Sequence, residues 1–223
     1  MKLHQKFLLL SVSLLLSACA SQPLSEGKKE ALHAVAVFVN FDGEAVAKAT
    51  GISLVTSERA QFSVENWNLG AYFQKSLLAA LKEKSIPAVS LTVAEKNPSE
   101  ELYLAVAKKQ KADLLLVVKS NTETIENYPA HELSLGVLCY DSPLRKSKVS
   151  PYFKFSYELV DMNANHKVLF RDSVTPEQTE SMSFLECSIL KDKILQKSWK
   201  EFRGPMEQTL DLLVPAMLHK IGF

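Results

Sequence analysis

The chain has 223 residues, 26 of them basic and 25 acidic, and 47% of it is apolar. So even a balance carries no strong basic field for nucleic acid and no acidic block of the kind that keeps a tail disordered. With only seven glycines a Gly-rich phosphate loop is not expected, while the apolar content and length suit one domain with a sizeable core.

The first element is an export signal. Lys2, His4 and Lys6 form a basic start, and Phe7 to Leu16 is a ten-residue run that is apolar apart from Ser11 and Ser13. A run of that length is too short for a hydrocarbon layer that needs about 20 residues. Small residues Ser17 and Ala18 follow, and then Cys19. A plain secretory signal or a short N-terminal anchor are the simpler readings. Leu16-Ser17-Ala18-Cys19, however, resembles the lipobox of bacterial lipoproteins. The resemblance implies a diacylglyceryl thioether on Cys19, cleavage before it, and acylation of the new amino group. Several acyl chains on one residue hold a protein stably where one alone would not. Ala20 stands where Asp commonly marks inner-membrane retention, which favours the outer membrane. Removing residues 1–18 removes Lys2 and Lys6 and no acid, which leaves 24 basic against 25 acidic residues.

Residues 19–33 are expected to be the lipidated cysteine and a polar tether, and residues 34–223 a single periplasmic domain. Ala34 to Phe41 reads as a strand buried on both faces, closed by Asp42-Gly43. Glu44 to Thr50 is ambiguous between a short helix and a loop, and Ile52 to Val64 is extended. Asn66 or Asn68 caps a helix whose face is Leu69, Tyr72, Phe73, Leu77, Ala80 and Leu81. Ile86 to Val93 is a short strand. Asn97-Pro98-Ser99-Glu100 opens a helix with Asn97 as cap, reaching about Lys111, with Leu102, Val106 and the neighbouring alanines inward. Asp113 leads into the buried strand Leu114 to Val118, either as an acid in a cleft or, more simply, as a cap or the partner of a backbone amide. Two helical crossovers between such strands predict parallel pairing.

The second half differs. Asn127 to Ser150 reads as a long excursion with an uncertain element at Leu133 to Tyr140. Tyr152 to Asp161 alternates, with Phe153, Phe155, Tyr157 and Leu159 on one face and Lys154, Ser156 and Glu158 on the other. Asn163-Ala164-Asn165 turns it into Val168 to Val174, an antiparallel hairpin. Phe184 to Phe202 and Met206 to Ile221 read as helices broken at Gly204-Pro205, the last carrying a Leu210, Leu213, Met217, Leu218 stripe and a disruptive Pro215. The expected class is α/β with α+β features: a mixed sheet with a βαβαβ core, an antiparallel hairpin and C-terminal helices.

Two phrases carry a further resemblance. Lys111-Ala112-Asp113-Leu114-Leu115-Leu116-Val117 is similar to a strand entry, and Tyr157 to Asn163 with His166 to Phe170 to a hairpin, of small α/β periplasmic lipoproteins. That group contains the curli-secretion lipoprotein, the activators of penicillin-binding proteins and the exopolysaccharide-export lipoprotein. It implies an accessory protein without catalysis that binds another envelope protein or assembles with itself as a homo-oligomer.

Chemistry-bearing motifs are sparse. Cys139 and Cys187 are an even pair in an exported chain, either bridged or separately buried. Ser188-Ile189-Leu190-Lys191 has the S-x-x-K spacing of penicillin-recognising enzymes, but lacks their partner motifs. His33, His131, His166 and His219 stand apart, so no catalytic residue, metal site or cofactor is expected. A cell-wall hydrolase with an unrecognised site is the alternative. Arg145, Lys146 and Lys148 are the best surface-contact candidates, against a bland role as a solubilising loop. Trp67 and Trp199 are more simply core than contact anchors, and Glu65, Glu100 and Glu101 suit helix starts.

Overall fold

A computed structural model describes residues 24, 27, 31–50, 57–95, 97–120, 134–140, 148–175, 185–186, 190 and 199–223. The signal segment, Cys19, Arg145, Lys146, His131 and Cys187 lie outside the described residues.

The fold is α/β, with two mixed five-stranded sheets. The first holds β1 (Val35–Asn40), β4 (Ala88–Ser90), β5 (Leu114–Ser120), β8 (Phe155–Asp161) and β9 (Lys167–Val174), in the order β4-β1-β5-β8-β9. The second holds β2 (Glu44–Thr50), β3 (Ser57–Ser63), β6 (Leu135–Tyr140), β7 (Lys148–Phe153) and β10 (Leu185–Glu186), in the order β10-β7-β6-β2-β3. Strand β1 pairs in parallel with β4 and β5, as the two crossover helices require. Those helices are α1 (Leu69–Glu83) and α2 (Glu100–Lys109), and α3 (Arg203–Ile221) closes the chain.

The two sheets are built from the same stretches of chain in the same lateral order. Strand β1 continues through residues 41–43 into β2, and β7 continues through the single residue Lys154 into β8. The paths β5 to β6 and β9 to β10 also cross between sheets, through segments outside the described residues.

Burial follows from the sequence pattern. Val35 and Val37 point into a large core shared with α1, α3 and both sheets, while Ala36 and Phe38 pack with Tyr103, Leu104 and Ala107 of α2. A continuous apolar run is what a strand covered on both faces needs. Helix α1 buries Leu69, Phe73, Leu77 and Leu81, the expected face. Phe41, Phe73 and Phe155 meet where β1 passes into β2, with ring centroids 5.4–5.7 Å apart. On the outer face of the second sheet, Tyr152 packs with Val46 and Leu138. Its ring lies against Gly136 so closely that a Cβ there would come under 3.0 Å from the ring and from the Val46 carbonyl oxygen.

Several expectations are corrected. Glu44–Thr50 is a strand, because alternate Ala45, Ala47 and Ala49 face the core. Asn68 precedes α1 but is left-handed at φ 52° and makes no side-chain cap. Ser99, not Asn97, caps α2, its hydroxyl accepting the Leu102 amide; Ala107 and Val106 face the core as expected, but the most buried residues beside Ala107 are Tyr103 and Leu104 rather than Leu102. The element left uncertain at Leu133 to Tyr140 is a strand of the second sheet, Leu135–Tyr140. The alternating strand is two strands split at Lys154, which is only 3% exposed instead of facing solvent. Leu185–Glu186 is a strand within what read as helix, and α3 runs unbroken through Gly204-Pro205 and Pro215. Pro205 sits in the first turn, where no amide partner is lost. Downstream of Pro215 the helix is held by buried Met217, Leu218 and Ile221, so the missing hydrogen bond is outweighed.

Candidate functional site

The apolar surface that α3 leaves uncovered is the most distinctive feature of the described residues. Helix α3 packs on the core through Leu210, Leu213, Met217 and Leu218. Leu212 lies off that stripe and is 61% exposed, against 37% for Val89 and 39% for Val168. It borders a groove of about 190 Å³ between α3 and β9, lined with Val174, Leu213, Ala216 and Met217. Among the described residues strand β9 is an edge of its sheet, paired to β8 on one side. Leu212 and the edge therefore present apolar surface and backbone groups side by side.

The polar end of the groove is a short network. The Tyr157 hydroxyl donates to Asp172 at 2.9 Å, and the Lys220 ammonium pairs with the same carboxylate at 2.7 Å. Burial pushes the Asp172 carboxyl up, but the Lys220 ammonium, the Ser173 amide and the Tyr157 hydroxyl together pull it below the ordinary carboxylate value. Burial and the neighbouring carboxylate raise the Tyr157 phenol. An ionised acid held by a cation and a neutral phenol is an orienting arrangement, and neither group is poised to exchange a proton near neutral pH. On the other side of α3, Asp211 accepts from Tyr72 and Ser76 at 2.6 Å each, which ties α3 to α1. The Asp211 hydrogen bond, with burial, pushes Tyr72 up to about 12.

A second concavity, about 230 Å³, lies where β1 passes into β2, beside the start of α1. It carries Asp42 and Glu65. The Asp42 carboxylate accepts the Ser134 hydroxyl at 2.5 Å, and its amide donates to Ser120. These bonds tie the two sheets together. A third, about 150 Å³, is lined by Leu24, Leu32, Asp113, Asp161 and Asn163. There Asp113 accepts the His33 amide at 2.6 Å and the Asn163 amide nitrogen at 3.1 Å. Burial raises this carboxyl, but the His33, Asn163 and Ala34 hydrogen bonds together lower it by more, for a net depression. The role expected of Asp113, pairing with a backbone amide, is the one it has.

Of the residues singled out by sequence, Cys139 lies on β6, is 1% exposed, and is disulfide-bonded. Its partner lies outside the described residues. Lys148 is corrected: it opens β7 opposite Glu186 and is not part of a loop. Trp67 is buried at 7% and Trp199 stacks on Phe62 with centroids 4.4 Å apart, so both are core. Among the described residues no three His, Cys, Asp or Glu side chains converge as metal ligands, and no helix is long and apolar enough to cross a membrane. Sequence reading missed the groove. Leu212 could have been noticed as the leucine outside the α3 stripe, but that β9 is an edge follows only from sheet order.

No known family matches the sequence, and no characterised protein matches it. In structure it is similar to a PelC dodecamer subunit from Paraburkholderia phytofirmans, at 12% identity and a TM-score of 0.30 over 77% of this chain and 85% of that one. It is also similar to a neuraminyllactose-binding hemagglutinin homologue from Helicobacter pylori, at 12% identity and a TM-score of 0.37 over 90% of this chain and 86% of that one. Likeness at this level carries no argument about function.

Proposed function

We propose that the chain is a lipid-anchored periplasmic accessory protein of the outer membrane, without catalysis, which holds another envelope protein on the α3–β9 groove. The observation that carries this reading is Leu212, 61% exposed at the lip of an apolar groove beside an edge strand. An apolar groove with an exposed leucine at its lip fits an apolar side chain of a partner, and an edge strand adds backbone hydrogen bonds for a docking segment. A photo-crosslinking amino acid at position 212 should capture one discrete protein in intact cells. Leu212→Glu should abolish capture from a crosslinker at Ala216 and move the unfolding free energy by no more than about 0.5 kcal/mol. Capture of this chain by itself would make the groove a homo-oligomer interface. No adduct from either position would sink the reading.

The anchor part of the proposal rests on Leu16-Ser17-Ala18-Cys19. It also bears on the disulfide: an acylated Cys19 leaves Cys187 as the partner of Cys139. Leu190, three residues after Cys187, belongs to the same buried cluster as Cys139. Mass analysis of unreduced mature protein should show an acylated N-terminal Cys19 peptide and a peptide pair joining Cys139 to Cys187. Free thiol at Cys187, or an unacylated Cys19, would overturn the corresponding half.

A further inference from the structure

The segment expected to be a polar tether is pinned before it reaches β1. Leu24 and Leu32 pack against the main core, and the Leu24 amide donates to the Ile221 carbonyl at 3.3 Å. Leu24 is five positions after Cys19. Five residues span at most about 17 Å. The domain is therefore held close to whatever Cys19 is attached to, by the pole at which α3 ends.

That pole has a definite composition. The strands β1 and β5 begin there, since Val35 pairs with Leu114, and β8 ends there, since Leu114 pairs with Asp161. The helices α1 and α2 precede the parallel strands β4 and β5, so their C-termini lie at the same end, as does that of α3. Exposed Lys82 is in the last turn of α1 and exposed Lys84 follows it, exposed Lys108 and Lys109 are in the last turn of α2 and exposed Lys111 follows it, and exposed Lys167 opens β9. Acids at this pole are fewer or occupied. Asp113 is held by the His33 amide and Asn163, and Asp161 accepts the Asn163 and Ala164 amides, which leaves Glu83 as the exposed acid among these elements. The acids of α2, Glu100 and Glu101, are in its first turn at the opposite end. Cations at helix C-termini complement the helix dipoles. That local role does not explain why six lysines surround the point where the anchor leaves the domain, in a mature chain with no excess of positive charge.

We propose that this lysine-rich pole is a second membrane contact, which seats the domain on the anionic phosphates of lipid headgroups once the acyl chains are inserted. The inference rests on the lipid anchor of the proposed function. It supplies what the anchor lacks, namely a fixed orientation. Attraction between surface lysines and anionic headgroups acts within a Debye length of about 8–10 Å, and a link of at most about 17 Å lets the pole come within that range. The α3–β9 groove runs along the side of α3, so it stays open to a partner when the pole faces lipid.

The test uses the mature protein in vesicles of phosphatidylethanolamine with phosphatidylglycerol, and in vesicles of phosphatidylcholine alone. A membrane-impermeant amine-acetylating reagent reads each lysine. In the anionic vesicles Lys82, Lys84, Lys108, Lys109, Lys111 and Lys167 should be acetylated about threefold or more slowly than in neutral ones, and high salt should remove the difference. Exposed Lys75 and Lys200, away from the pole, should not change. Reversing Lys108 and Lys109 to glutamate should restore the reaction at Lys82 and Lys167. Equal rates at the pole and at the controls in the two lipids would overturn the proposal. The same digest reports acyl chains on Cys19. A chain without them counts against the anchor, while the lysine pattern in vesicle suspension still decides the pole.

Discussion

Phe155→Ala is expected to lower the unfolding free energy by about 3–5 kcal/mol, the range for removing a buried aromatic ring. The ring is fully buried at 0% exposure, and it touches Phe41 at 5.4 Å and Phe73 at 5.6 Å between centroids. Those rings come from different elements: the passage between β1 and β2, helix α1, and the first residue of β8. Strand β8 is central, paired to β5 on one side and β9 on the other, so its backbone has little freedom to close the cavity. The cost should therefore lie toward the upper part of the range. Urea unfolding followed by far-ultraviolet circular dichroism measures it. A loss below about 1 kcal/mol would mean that the passage between sheets is not packed as described.

Gly136→Ala should also destabilise, by about 1–3 kcal/mol, and here the sign is the informative part. Glycine in a strand interior normally weakens it, and alanine at a compatible position gains roughly 0.4–1 kcal/mol. At Gly136 a methyl group would meet the Val46 carbonyl oxygen on one side and the Tyr152 ring on the other, both closer than 3.0 Å. The ring could swing; the carbonyl belongs to β2, which is paired to β6 at this residue. Relief would require parting the β2–β6 ladder. The same unfolding assay decides it, and an alanine variant as stable as the parent would contradict the close packing.

What was legible in the sequence and what was not divides along a physical line. Segments whose burial is set by their own pattern read correctly. The two-faced strand at Val35, the α1 stripe through Phe73 and Leu77, and the hairpin turning at Asn163 all carry their periodicity locally. Elements whose environment is set by distant chain did not. Glu44–Thr50 has the composition of a helix or a loop, and only β3 and β6 on its flanks make it a strand. Lys154 alternates correctly with its neighbours as a solvent-facing residue. It is buried because the chain changes sheets at that residue and the alternation on either side is no longer one register. Site features behaved the same way. Asp113 was readable as a carboxylate serving backbone amides. The pairing of β9 to β8 alone among the described strands, which leaves an apolar edge by Leu212, was not. The lysine pole escaped notice because its members are scattered from Lys82 to Lys167, and parallel topology brings them to one end.

The passages between the sheets have a mechanical meaning. A hinge needs a flexible connection that can absorb rotation, and here β7 joins β8 through one buried residue and β1 joins β2 through three. The two passages lie on different strands, and both are flanked by hydrogen-bonded neighbours. Rotating one sheet against the other would twist both backbones at once and pull Phe41 from Phe73 and Phe155. The Ser134 to Asp42 bond and the Lys154 amide to Ser134 carbonyl bond cross the same seam. The two sheets should then move as one body, and force applied at the end of the first sheet where β1 begins would reach the second sheet with little loss to internal bending.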